Sequence, residues 1–142
     1  MGVLEETKKS GQKSEYVAAI IFNLIWWYIV NNLLNWQVYF VTNAFNEVLW
    51  IINLSIIVSI IGNALLLFYS PERLRHIVKI FINIISFIAV YIVWTVFPFN
   101  FYNSFYDWLF GILLILAMIG IAIATIVEIY LLITGKPKLT GN

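Results

Sequence analysis

Along the chain, polar and apolar positions form long blocks, with no short alternation. A polar stretch, MGVLEETKKSGQKSE, comes first. Four apolar runs follow, at about 16–34, 46–69, 74–97 and 107–134. Each is long enough, at about 1.5 Å of rise per helical residue, to cross roughly 30 Å of hydrocarbon. Lipid leaves no backbone group a water partner, so a crossing segment is a helix or a barrel strand, and unalternating runs of this length are helices. The fourth run is the longest and is expected to tilt or to rise above the surface. The pattern predicts an all-α integral membrane protein: a four-transmembrane-helix, antiparallel (up-down) bundle over residues 15–135. Residues 1–14 are expected to form a flexible tail with little apolar area to bury, and residues 136–142 a second tail.

Composition sharpens this. The chain is 63% hydrophobic and 11% charged, whereas soluble domains are roughly half apolar and a quarter charged. Too few polar residues remain to cover a water-soluble fold. With no cysteine, disulfides, zinc thiolates and thiol nucleophiles are excluded. A net charge of +1 gives no reason to expect a nucleic-acid partner. Glu6 stands where N-myristoylation requires Ser or Thr, so no lipid anchor is expected.

The placement of the basic residues then sets a direction. Lys8, Lys9 and Lys13 lie in the first tail, Arg73, Arg75 and Lys79 around the second connection, and Lys136 and Lys138 in the last tail. The first and third connections, residues 35–45 and 98–106, carry none. Four spans put the three basic places on one side, and the excess of Lys and Arg makes that side cytoplasmic. The expectation is a multi-pass protein of the cell membrane with both termini in the cytoplasm. In SPERLRHIVKIF, Ser70, Pro71 and Glu72 read as N-cap, first-turn proline and first-turn acid of the third helix. So tight a turn makes the second and third helices antiparallel neighbours. Ser104-x-x-Asp107 reads as a capping box for the fourth helix, and Asn43 or Thr42 as the cap of the second.

Candidate chemistry is sparse. On the third run Lys79, Asn83 and Ser86 share a helix face, with His76 beside it. On the fourth, Ala117, Gly120, Ala124 and Glu128 form a stripe of small residues ending in a carboxylate, at a depth similar to that of Lys79. A charge inside the bilayer costs at least about 2.5–3.5 kcal/mol on insertion scales, so opposite charges pair. Glu128 is expected to meet Lys79, with Arg75 or His76 as the substitute partner. Such a pair either fixes helix register or, with the imidazole of His76, relays an ion or proton.

Asn23 on the first run and Asn53, Ser59 and Asn63 on the second suit interhelical hydrogen bonds. A pore lined by these asparagines is the competing expectation. The non-basic side is rich in aromatics, among them Trp36, Tyr39, Phe40, Phe97, Phe99, Phe101, Tyr102, Tyr106 and Trp108. They fit an interfacial belt, or a docking surface or shallow apolar pocket under the loops. Glu47 and Asp107, the acids on that side, suit helix N-termini, and no metal-ligand spacing surrounds them.

No phosphate loop, HExxH or nucleophile elbow occurs, and His76 is the only histidine. The expectation is a non-enzymatic protein without cofactor or metal, whose partners are the bilayer and a second copy or another membrane subunit. A structural or accessory role through helix faces and aromatic loops comes first. An oligomeric channel or transporter subunit comes second, and lipid or apolar-ligand binding under the loops third.

Overall fold

The computed structural model describes the backbone of residues 2–135 and the side chains of residues 11–135. It is all-helical: α1 (Gly2–Asn32), α2 (Phe45–Phe68), α3 (Glu72–Val96) and α4 (Ser104–Thr134). The last three follow their apolar runs to within a turn, and all three are long and apolar enough to cross a membrane. The apolar part of α1 is diluted by Asn23, Asn31 and Asn32, the last of which ends the helix.

α1 begins at Gly2, so its helical backbone runs through the stretch expected to form the first tail. The stretch before Tyr16 is rich in Glu, Lys and Gln, all good helix formers, so a helix nucleated in the apolar part propagates outward at little cost. The second expected tail, residues 136–142, lies outside the described residues.

Helix ends also differ in detail. Pro71, not Ser70, is the N-cap of α3, and Ala44 caps α2 without a side-chain bond. The first amides of α2 are satisfied by tight backbone bonds to Thr42, Asn43 and Ala44. Asn103, not Ser104, caps α4, accepting from the Phe105 amide at 2.9 Å. Asp107 instead accepts from the Phe101 amide at 3.0 Å and so pins the preceding loop. At the far end of α4, Gly135 adopts φ +64°, a left-handed stop that glycine takes without a Cβ penalty.

Consecutive helices run antiparallel. Asn23 bonds Ser59 and, two turns on, Asn31 bonds Asn53, so α2 descends as α1 rises. At Gly62 an added Cβ would lie 2.8 Å from Ile82 and 2.9 Å from Val78, which fixes the close approach of α2 and α3. Helix packing is serial: α1 on α2, α2 on α3, α3 on α4. Among the described residues the α1 and α4 backbones do not pack on each other. The helix row is therefore open along one flank, a feature the expected bundle lacks.

Two buried centres result. One lies at the loop end, around Val30, Phe45, Val48, Ile56 and Val93. The other lies at the opposite, basic end, where Tyr16, Leu66 and His76 are fully enclosed.

Candidate functional site

At the loop end the two long connections cross. Val41 and Phe99 form an antiparallel bridge, reinforced by the Thr42 amide on the Pro98 carbonyl (2.9 Å) and the Asn100 amide on the Phe40 carbonyl (2.8 Å). Phe97 ends α3 in the left-handed region, φ 45°. That conformation costs a non-glycine residue about 1–2 kcal/mol, and it places the ring edge-on to Phe99 and Phe110, at 5.7 and 6.1 Å. Phe99 meets Phe110 at 4.8 Å, and Phe40 stacks on Phe101 at 5.0 Å.

The nine aromatics singled out on this side divide by chemistry. Phe40, Phe97, Phe99 and Phe101 turn inward, whereas Trp36, Tyr39, Tyr102, Tyr106 and Trp108 are exposed. Rings with a polar handle stay at the rim, as in an interfacial belt, and the plain phenyl rings close over the helices. Phe45 and Phe110 belong to the same cluster.

Beneath these rings lies an apolar cavity of ≈ 430 Å³. Phe40, Val41 and Phe99 roof it; Trp26 and Val30 of α1 and Leu33 just past its end line one side, and Ile52 and Ser55 of α2 another. Ala89, Val90 and Val93 of α3 and Leu114 of α4 complete the wall. Its hydroxyls are Ser55, which donates to the Ile52 carbonyl, and Ser86, which makes no hydrogen bond among the described residues. Around it α1 packs on α2, α2 on α3 and α3 on α4; the side without helix packing among the described residues is that between α1 and α4. A volume of this size, apolar with few polar groups, is typical of small-molecule sites between helices, which run about 300–1,000 Å³.

The basic end holds the ionisable cluster, and its pairing differs from expectation. Glu128 contacts His76, Oε2 to Nδ1 at 2.5 Å, rather than Lys79. Lys79, on the same stripe of α3, turns instead toward α1 and reaches the exposed Glu15 at 3.4 Å. Glu15, just before the first apolar run, supplies that acid, so the long lysine stem finds a partner near the surface. His76, one turn earlier and shorter, occupies the face against α4. Its other nitrogen, Nε2, lies 3.3 Å from Glu72 Oε1 without hydrogen-bond geometry. Glu72 in turn is paired with Arg75. Arg75, His76 and Glu128 are all buried.

The remaining expected residues serve helix contacts. Asn23 bonds Ser59 at 3.0 Å, and Asn63 donates to the Ser59 carbonyl at 2.7 Å. Asn53 and Asn31 exchange amide bonds. Asn83 makes no hydrogen bond among the described residues. On the small-residue stripe of α4, Ala117, Gly120 and Ala124 are exposed, while Glu128 at its end is buried against His76 of α3. Glu47 is exposed in the first turn of α2. Among the described residues no group of three acids or histidines could hold a metal ion.

Glu72, Tyr16 and the cavity walls are the features sequence reasoning passed over. Glu72 was legible only as a first-turn acid; its spacing of four to His76 was the available signal. Comparisons with protein-family models, with curated proteins and with solved structures give no match.

Proposed function

We propose that the chain is an integral membrane protein in which α1 completes a set of four spans, and that it holds the hydrocarbon tail of a membrane lipid. The tail, acyl or isoprenoid, occupies the phenylalanine-roofed cavity and enters sideways between α1 and α4. The observation that carries this reading is the ≈ 430 Å³ apolar space with one unsealed side. A tail buried there exchanges one apolar medium for another, so the gain comes from close packing against rings and branched side chains rather than from water release. Ser55 and Ser86 supply the polar contacts that orient a chain end or a carbonyl.

The test is lipid retention. Full-length protein in nanodiscs of defined phospholipid composition is released into detergent and weighed by native mass spectrometry. Wild type should keep about one lipid per chain, and Ala89→Phe, which fills the cavity from α3, should lose it while helicity and tryptophan emission stay unchanged. Equal retention by both proteins, or none by wild type, would sink the reading.

The threading follows from charge. With Arg73, Arg75 and Lys79 at one end and no Lys or Arg in the two aromatic loops, the basic end and both termini face the cytoplasm of a cell membrane. A chain free of cysteine makes the check clean. Asn43→Cys and Ser104→Cys should react with an impermeant thiol reagent from outside intact cells, and Arg73→Cys only after lysis.

A second reading, an accessory subunit, rests on the exposed small residues Ala117, Gly120 and Ala124 of α4. Small residues let another membrane helix approach closely, whether from a second copy or from a partner subunit. Light scattering in mild detergent tests the self-association arm: a strict monomer at all concentrations counts against it.

A further inference from the structure

We propose that Glu72, His76 and Glu128 form a proton-exchange chain, which loads the buried carboxylate of α4 from the basic end of the molecule. This inference is independent of the lipid-tail reading, because it concerns the opposite end of the helices.

Three groups stand in line. Glu72 is half-exposed in the first turn of α3; His76, 2% exposed, is one turn deeper; Glu128 lies behind it on α4. The steps between them are 3.3 Å, from Glu72 Oε1 to Nε2, and 2.5 Å, from Nδ1 to Glu128 Oε2. Nε2 is buried and has no hydrogen-bond partner among the described residues. A cavity of ≈ 210 Å³ at the basic end is lined by Glu72, Arg73 and His76 together with Leu131, Leu132 and Gly135 of α4. At about 30 Å³ per molecule it has room for several waters.

The choice of partners argues against a purely structural pair. Arg75, a permanent cation, is buried one residue away, yet it is paired with Glu72. Glu128 meets instead the one side chain that can take up a proton at one nitrogen and release it at the other. Chains of acids and histidine at membrane depth mark proton relays. Among the described residues the other charges toward this end are Arg73 on α3, Lys13 on α1 and the Lys79–Glu15 pair; α2 carries only Glu47, at the opposite end, and the buried Tyr16 hydroxyl of α1 has no hydrogen-bond partner among the described residues.

The step balances within the triad. Neutral His76 carries its hydrogen on Nδ1, donating to the Glu128 carboxylate. A proton arriving from water on Glu72 passes to Nε2, breaking an O–H bond and forming an N–H bond. The Nδ1 hydrogen then moves to Glu128 Oε2. The imidazole is again neutral with its hydrogen on Nε2, Glu72 is again a carboxylate, and Glu128 is a carboxylic acid. One proton has gone inward and one negative charge has been removed from the interior.

The experiment uses the full chain in phospholipid bilayers. Infrared difference spectra should show a carboxylic-acid C=O band that grows on acidification and is lost in Glu128→Gln. After a pH jump, Glu72→Gln should slow the growth of that band by about 100-fold, the smaller end of what a positioned proton donor contributes, with its final amplitude unchanged. A merely structural Glu72 would leave the rate alone, and an unchanged rate overturns the proposal. Should Glu128→Gln fail to fold, wild type still decides. His76 is the only histidine, so its ¹⁵N imidazole signals need no assignment. The hydrogen should sit on Nδ1 in alkaline samples and on Nε2 in acid ones; a hydrogen that stays on Nδ1 in both overturns the proposal.

Discussion

Asn31 and Asn53 exchange two amide hydrogen bonds, of 2.7 and 3.0 Å, across the contact between α1 and α2. In a lipid setting such a pair holds helices together where hydrophobic burial cannot, because lipid tails are as apolar as leucine. Asn53→Leu leaves the Asn31 carbonyl oxygen without its cross-helix donor and should cost about 1 kcal/mol, against an average of roughly 0.6 for such bonds. In a double-mutant cycle with Asn31→Leu, measured by reversible unfolding in mixed micelles, the two costs should fall short of additive. Full additivity would mean that the pair does not couple.

Gly62 and Gly120 make a matched comparison. Gly62→Ala drives a methyl to within 3 Å of Val78 and Ile82, overpacking that should cost about 1–3 kcal/mol. Val78→Ala in the same chain should recover most of it. Gly120 has open space around the position of its missing Cβ, so Gly120→Ala should be neutral or raise stability by up to about 1 kcal/mol through helix propensity. Unfolding midpoints of the three variants in one detergent decide the matter.

The aromatic roof is expected to be a stability element. Phe99 touches Phe97, Phe101 and Phe110, and faces Phe45 at 6.4 Å. Phe99→Ala should cost about 3 kcal/mol, the lower end for a buried phenylalanine, because the residue is only partly buried. Phe99→Leu should recover much of that. A Tyr39→Ala change at the exposed rim should fall within about 0.5 kcal/mol of wild type.

Lys79 and Glu128 are distinguishable by their partners. Lys79→Met removes an ion pair to a 60%-exposed glutamate, and pairs of that kind contribute about 0–1 kcal/mol. Glu128→Ala takes the partner from a buried imidazole, and breaking a buried pair costs about 3–5 kcal/mol. Comparable losses in the two variants would restore the Lys79–Glu128 pairing that depth alone suggests.

That last comparison locates the limit of reading this chain from its residues. The apolar blocks announced α2, α3 and α4 because the bilayer imposes a length that few other causes produce. Depth along a helix was also legible: Glu128 and the His76–Lys79 turn fall at matching distances from their helix ends. Rotation was not. His76 and Lys79 are three residues apart on one polar stripe, and which of them faces α4 depends on where α1 and α2 lie. Serial packing with an open flank is likewise a fact about neighbours, invisible to a periodicity that only separates one face from another. An apolar pocket under the loops was expected from the aromatics, but its walls were not legible for the same reason, since they come from four helices and two loops.

Because, among the described residues, α2 is the one helix on which the α1 backbone packs, the molecule has a built-in order of disassembly. Mild denaturant should peel that first helix away as a unit and leave the other three clasped through Gly62 and through His76–Glu128. Amide hydrogen exchange would record this as early loss of protection confined to residues 16–32. During synthesis the same asymmetry works in reverse: α1 is made before α2 and has no seat until α2 has arrived.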